Sequence, residues 1–275
     1  MQASVPSRTA EAVAAARAAH QLLDDPRLFD DPLAVRISGV DERVLRANDD
    51  PTRKTRRTYF AARSRFAEDA LRAALEGGVC QYVILGAGLD TFAYRNSDQA
   101  LRIFEVDQQS TQDWKRQRLA TVSIAIPSNV MFVPADFERA SLGHALTAAG
   151  FDPAKPSFFS WLGVTVYISR DAVFSTLSYV ASVRGEIVFD YGEPPTALKP
   201  EQRVAFEAMA KRVQDLGERW ITYFAPVALH AELNRVGFDV VEDLASSDIA
   251  LRYFGRAPTG KTGGGAHLLH ARPAN

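Results

Sequence analysis

At Gln81 the hydrophobic rhythm of the chain changes. Before it, apolar residues recur every three or four positions, as in Val13, Ala16, His20 and Leu23. The same spacing returns from Tyr59 through Ala62, Phe66, Ala70 and Ala73, until Gly77-Gly78 stops it. Turns are predicted at Asp24-Asp25-Pro26 and Asp30-Asp31-Pro32, with the aspartates as turn and cap residues. After Gln81, short apolar runs alternate with amphipathic helices, the pattern of a parallel sheet buried on both faces. Seven strands are predicted, at 82–85, 102–106, 130–134, 157–161, 186–189, 239–243 and 266–271. The expected fold is therefore α/β and Rossmann-like: a seven-stranded, mostly parallel sheet with helices on both faces. The expected organisation is a single domain over 1–275, with a helical cap at 1–79 and a core at 80–192 and 226–275. A helical insertion at 193–225 is expected to lie over the active site.

The strongest local signal is Tyr82-Val83-Ile84-Leu85-Gly86-Ala87-Gly88-Leu89-Asp90-Thr91, a buried strand running into a Gly-x-Gly turn. Glycine lets the backbone turn sharply and approach a ligand closely. Asp107 closes the next strand, in Phe104-Glu105-Val106-Asp107, where a carboxylate can accept both hydrogens of a ribose diol. A tight strand–helix turn with a solvated aspartate gives the same residues without a ligand. Asp136-Phe137 ends the third strand in the same way, so Gly86, Asp107 and Asp136 share one crevice; Asp136 can bond an adenine amino group and Phe137 can pack on the ring. A dinucleotide fingerprint asks for a third glycine where this chain has Thr91, and Asp90 opposes a diphosphate at a helix start. A cofactor with ammonium and sulfonium groups suits such a turn better, and S-adenosylmethionine is one.

These stretches, together with Tyr59-Phe60-Ala61-Ala62-Arg63, resemble the leucine carboxyl methyltransferase family, and within it the bacterial, polyketide-associated O-methyltransferase branch. The resemblance runs from about residue 8 to 272. It implies a class I methyltransferase fold using S-adenosyl-L-methionine, with Gly86, Ala87, Gly88, Asp107, Asp136, Phe137 and Leu162 around the cofactor. It also implies Arg63 at the cofactor's methionine carboxylate, Arg17 as a second such residue, and Tyr167 facing the reaction centre. In Trp161-Leu162-Gly163-Val164-Thr165-Val166-Tyr167 the chain departs from the family, which often carries an acid where Leu162 stands.

Charge and composition narrow the remaining options. With 32 basic and 33 acidic residues there is no global positive field, so non-specific nucleic-acid binding is not expected. The cluster Arg53, Lys54, Arg56, Arg57 and Arg65 reads as a solvated helix face, with room for an anionic or carrier-bound substrate; Arg63 belongs beside the apolar stripe. The lone Cys80 excludes an internal disulfide, and the histidines lack metal-ligand spacing, so no metal is expected. His144, His230, His267 and His270 are read as structural. No apolar run is long enough for a membrane span, and the alanine-rich stretch 12–19 is interrupted by Arg17, so a cytoplasmic protein is expected. The run from Gly255 to Thr262 fits GxxxxGK[ST], but it lacks the strand–helix context of a phosphate loop and reads as a flexible loop.

The expected reaction is methyl transfer from sulfonium to a carboxylate or hydroxyl oxygen of a small molecule, with a polyketide-type metabolite as the acceptor that the resemblance suggests. A carboxylate acceptor needs no base, whereas a hydroxyl does, and His20, Tyr167, Asp190 and Tyr191 are the candidates. Trp220, Tyr223 and Phe224 of the insertion either close an apolar pocket over the methyl donor or pack the cap onto the core. Two alternatives stand beside this reading: a methyltransferase-like binding or regulatory module without turnover, and an NAD(P)-dependent oxidoreductase.

Overall fold

The computed structural model describes residues 7–139, 141–255 and 265–274. Four helices precede the sheet: α1 (Arg8–Leu23), α2 (Ala34–Ser38), α3 (Glu42–Ala47) and α4 (Pro51–Glu76). Ser7 caps α1 by accepting from the Ala10 N–H, and Asp50 caps α4 by accepting from the Arg53 N–H. The core then alternates β1 (Gln81–Leu85), α5 (Phe92–Arg95), β2 (Arg102–Asp107), α6 (Gln109–Thr121), β3 (Val130–Pro134), α7 (Leu142–Ala148), β4 (Ser157–Trp161), α8 (Arg170–Ser182) and β5 (Glu186–Gly192). Helix α9 (Pro200–Asp215) lies in the insertion, and α10 (Pro226–Val236), β6 (Phe238–Ala245), α11 (Ser246–Phe254) and β7 (Ala266–Pro273) complete the order. The GxxxxGK[ST]-like run continues from Gly255 into 256–264, outside the described residues.

The seven strands form one sheet in the order β3-β2-β1-β4-β5-β7-β6. All neighbours are parallel except β7, which runs antiparallel to both β5 and β6. Alternate residues feed two cores. Val83, Leu85, Phe104, Val106, Phe159, Trp161 and Phe189 face α7, α8 and α10, and Tyr82, Ile84, Ile103, Phe158 and Val188 face α4 and α11. With both faces covered, the strands read as continuous apolar runs. β5 extends three residues beyond its apolar run because Asp190, Tyr191 and Gly192 pair with Leu268, His267 and Ala266 of β7.

The N-terminal helices depart from their expected surface character. Arg57 is buried and bonds Asp24 and Asp49, rather than lying on a solvated face. Asp31 is fully buried, accepting from Arg17 and Thr91, and so does more than cap a turn. Among the described residues, no helix is long and apolar enough to cross a membrane.

Candidate active site

The site is built at the carboxyl ends of the parallel strands, where a doubly wound sheet leaves its crevice. After β1 the chain turns at Gly86, whose φ of +68° lies in the left-handed region. A Cβ there would stand 2.2 Å from Val164 Cγ2, so this glycine admits the β4–α8 loop against the turn. The Gly86 and Ala87 N–H groups donate to the Val106 carbonyl, at 2.8 and 3.0 Å, which seats the turn on the end of β2.

Asp107 ties the same two strands together through its side chain. Its Oδ2 accepts from the Gly88 N–H at 2.7 Å and its Oδ1 from the Gln108 N–H at 2.7 Å. Burial raises its pKa above the ordinary value, and those N–H groups oppose the rise. A carboxylate accepts at about four lone-pair sites, so acceptor capacity remains for a diol. The Asp107 carbonyl accepts from the Ala135 N–H at 2.9 Å, which places Asp136 and Phe137 next along the crevice. Asp136 and Phe137 line a cavity of about 150 Å³ with Ser141, Thr176 and Tyr179. The Phe137 ring lies 5.7 Å from that of Trp161.

Arg17 supports the turn from the helical cap. Its Nη2 donates to Thr91 Oγ1 at 2.9 Å and to Asp31, and its Nη1 lies 3.5 Å from Asp90. Burial works against the Asp90 charge, but Arg17, Lys115 and Arg95 hold its pKa below the ordinary carboxylate value. The negative charge that disfavours a diphosphate is therefore maintained at neutral pH.

Arg63 reaches the crevice from α4. Its Nη1 donates to Asp190 Oδ2 at 2.8 Å, and its guanidinium lies 5.0 Å from the Phe60 ring centroid. Gly163, at φ +74°, gives it room, since a Cβ there would stand 2.8 Å from Arg63 Nη1. The Arg63 Nε–H is buried without a partner among the described residues. Leu162, in the position expected beside the cofactor, packs its side chain with the α4 core cluster.

Tyr167 closes the short 3-10 turn Thr165–Tyr167, and burial pushes its phenol above the ordinary value. At neutral pH it therefore holds its proton and donates rather than acting as a base. His20 is not placed for catalysis. Its Nδ1 bonds Asp24 at 2.8 Å, and its Nε2 accepts from the Leu28 and Phe29 N–H groups at 3.1 and 3.2 Å. Both ring nitrogens are thereby committed to the cap.

Pieces of the cap and of the insertion, far apart in sequence, meet at the turn that carries Tyr167. Ser7 and Thr9 donate to Glu218 at 2.9 and 2.7 Å, and the Ile221 N–H donates to the Val166 carbonyl at 2.8 Å. Trp220 and Tyr223 pack on Phe206 of α9, whereas Phe224 is buried in the main core beside Phe174 and Tyr191. The sequence alone presents Asp190, the Arg63 partner, as a candidate base. It closes an apolar strand run just as Asp107 and Asp136 do, and that signal points to the crevice.

The turn at Gly86, the part-satisfied carboxylate of Asp107 and the unpartnered Nε–H of Arg63 suit a ligand that carries a ribose and an anionic end. The sheet order and the crevice are those of the class I methyltransferase fold. The solved magnesium protoporphyrin IX methyltransferase ChlM from Synechocystis, with bound SAH, superposes with a TM-score of 0.52 at 12% identity, over 87% of this chain and 92% of that one. A duf574 family protein from Streptomyces avermitilis gives a TM-score of 0.57 at 15% identity, over 94% and 97%.

The leucine carboxyl methyltransferase profile matches residues 10–181, and the chain belongs to that family. YktD of Bacillus subtilis, provisionally named an S-adenosyl-L-methionine-dependent methyltransferase, is 36% identical over 200 residues. That match covers 70% of this chain and 65% of YktD, just under two thirds of its length. A relative from Mycolicibacterium smegmatis with the same provisional description is 35% identical over 233 residues, covering 79% and 75%. The family and these relatives point to S-adenosylmethionine as the cofactor, in place of a nicotinamide.

Proposed function

We propose that this methyltransferase acts on an oxygen of a small molecule, and that the oxygen is a carboxylate or an already acidic hydroxyl. The observation that carries the reading is the state of the candidate bases. His20 has both nitrogens engaged, burial keeps Tyr167 protonated, Asp190 is held by Arg63, and Tyr191 donates to Asp243 at 2.6 Å. An acceptor that arrives ionised asks nothing of these groups.

The cofactor supplies a methyl group already activated on sulfonium. The chain's own residues position it. Asp107 accepts from the ribose hydroxyls, Asp136 and Phe137 take the adenine, and the Gly86-Ala87-Gly88 backbone admits close approach. Arg63 takes the carboxylate, while Arg17 keeps the turn in place. Tyr167 donates a hydrogen bond toward the acceptor, and the segments around Ala10, Val164 and Trp220 exclude water.

The outer part of α4 supports an anionic acceptor, free or tethered to a carrier. Arg56, Phe60 and Arg63 share one helix face. Burial lowers the Arg56 pKa, and the like charges of Arg53 and Arg212 lower it further, so an anion seated there relieves repulsion.

Labelled-methyl transfer to a panel of carboxylic acids, phenols and amines tests the reading. Mild alkali then separates a methyl ester, which releases methanol, from an ether, which does not. Label on nitrogen or carbon overturns the proposal.

A further inference from the structure

Arg63 and Asp190 form a buried pair whose remaining capacity is itself bipolar. Their side chains are 9% and 11% exposed. Asp190 Oδ2 accepts from Arg63 Nη1 at 2.8 Å and from the Tyr59 hydroxyl at 3.3 Å, and its Oδ1 accepts from the Gly163 N–H at 2.5 Å. Of about four acceptor sites on a carboxylate, the one left lies on Oδ1. On the other side, the Arg63 Nε–H has no partner among the described residues. A buried ion pair contributes little to stability in itself, and an unmade buried hydrogen bond is costly. One N–H edge that seeks an anion thus stands beside one lone pair that seeks a cation.

Such a pair is the charge complement of an α-amino acid head group. We propose that Arg63 and Asp190 together read the zwitterion of the cofactor's methionine moiety, Arg63 taking its carboxylate and Asp190 its ammonium. Asp190 then supplies, from the end of β5, the carboxylate that the apolar Leu162 does not. Three anchors hold Asp190 for that role. Thr165 Oγ1 donates to its backbone carbonyl at 2.6 Å, the Gly163 N–H fixes Oδ1, and β7 pairing fixes the strand. The inference rests on the placement of Arg63 at the cofactor carboxylate given above.

Isothermal titration of the full chain with two ligands tests it: S-adenosylhomocysteine, and the same molecule with hydrogen in place of the amino group. Asp190→Asn is expected to weaken the first roughly tenfold or more while changing the second by less than about twofold. Equal loss for both ligands shows that Asp190 serves only to hold Arg63, and an unchanged affinity for S-adenosylhomocysteine removes Asp190 from the site; either result overturns the proposal. Wild-type protein that binds neither ligand removes the cofactor reading beneath it, a separate failure. If Asp190→Asn does not fold because Arg63 is left as an unpaired buried charge, the charge-free Arg63→Gln/Asp190→Asn is titrated with both ligands beside the wild type. The wild-type preference for S-adenosylhomocysteine over its amine-free analogue is then expected to disappear, and its persistence overturns the proposal.

Discussion

Gly86 carries two constraints at once, a left-handed φ of +68° and Val164 Cγ2 2.2 Å from where a Cβ would stand. Gly86→Ala is therefore expected to destabilise the fold by about 2–4 kcal/mol, part from backbone strain and part from overpacking. Adding Val164→Ala is expected to recover the packing part alone. Urea unfolding of the single and double variants checks this, and an unaltered midpoint for Gly86→Ala contradicts it. Asp107→Asn is expected to weaken cofactor binding by about 1.5–3 kcal/mol in calorimetric titration. Its fold is expected to persist, because Asn still accepts from one of the two N–H groups. Gly86 and Asp107 were legible because each sits where a buried strand ends. Asp24, Asp31 and Arg57 were not, because their partners are remote in sequence: Arg57 bonds Asp24 from 33 residues away. A charged residue followed by proline reads as a turn until the partner that buries it is known.

Most strands were legible as elements because the sheet is covered on both faces, so that apolar runs mark them, whereas the edge strand β6 carries Asp239, Glu242 and Asp243 and is only partly buried. Their ends were less so: β5 runs on through polar Asp190 and Gly192 because β7 offers it a hydrogen-bonding edge. Helix α6 hides a stronger exception. Lys115 is buried with its Nζ 2.8 Å from Glu105 Oε2, and the Tyr94 hydroxyl donates to the same oxygen at 2.8 Å. Burial pushes the Glu105 pKa up, against the pull of Lys115. Removing one member leaves the other uncompensated, so Lys115→Met is expected to cost about 3–5 kcal/mol in chemical denaturation. Lys115→Met/Glu105→Leu is expected to regain most of it. A double variant as unstable as the single shows instead that the cost lies in packing.

At the scale of the molecule, the site depends on chain segments that no local pattern connects. Glu218 of the insertion meets Ser7 and Thr9 of the cap, and the root of that insertion is fastened by a histidine. His267, at the start of β7, bonds Asp243 of β6 through Nδ1 at 2.8 Å and Glu193, just beyond β5, through Nε2 at 2.9 Å. Its ring stacks on Tyr191 at 4.7 Å, and Asp243 also accepts from Tyr191 and pairs with His230. Burial alone lowers a histidine pKa, but the two carboxylates prevail and His267 stands above its ordinary 6.5. A group whose folded pKa is raised contributes stability that is complete below the unfolded value. That contribution is lost as pH climbs through the folded value, so the bridge from Glu193 to Asp243 weakens on the alkaline side. Melting midpoints followed from pH 6 to 9 are accordingly expected to fall more steeply for the wild type than for His267→Gln, whose amide does not titrate. Parallel pH profiles for the two proteins refute this, since the decline then belongs to other groups and the root of the insertion does not depend on the His267 charge.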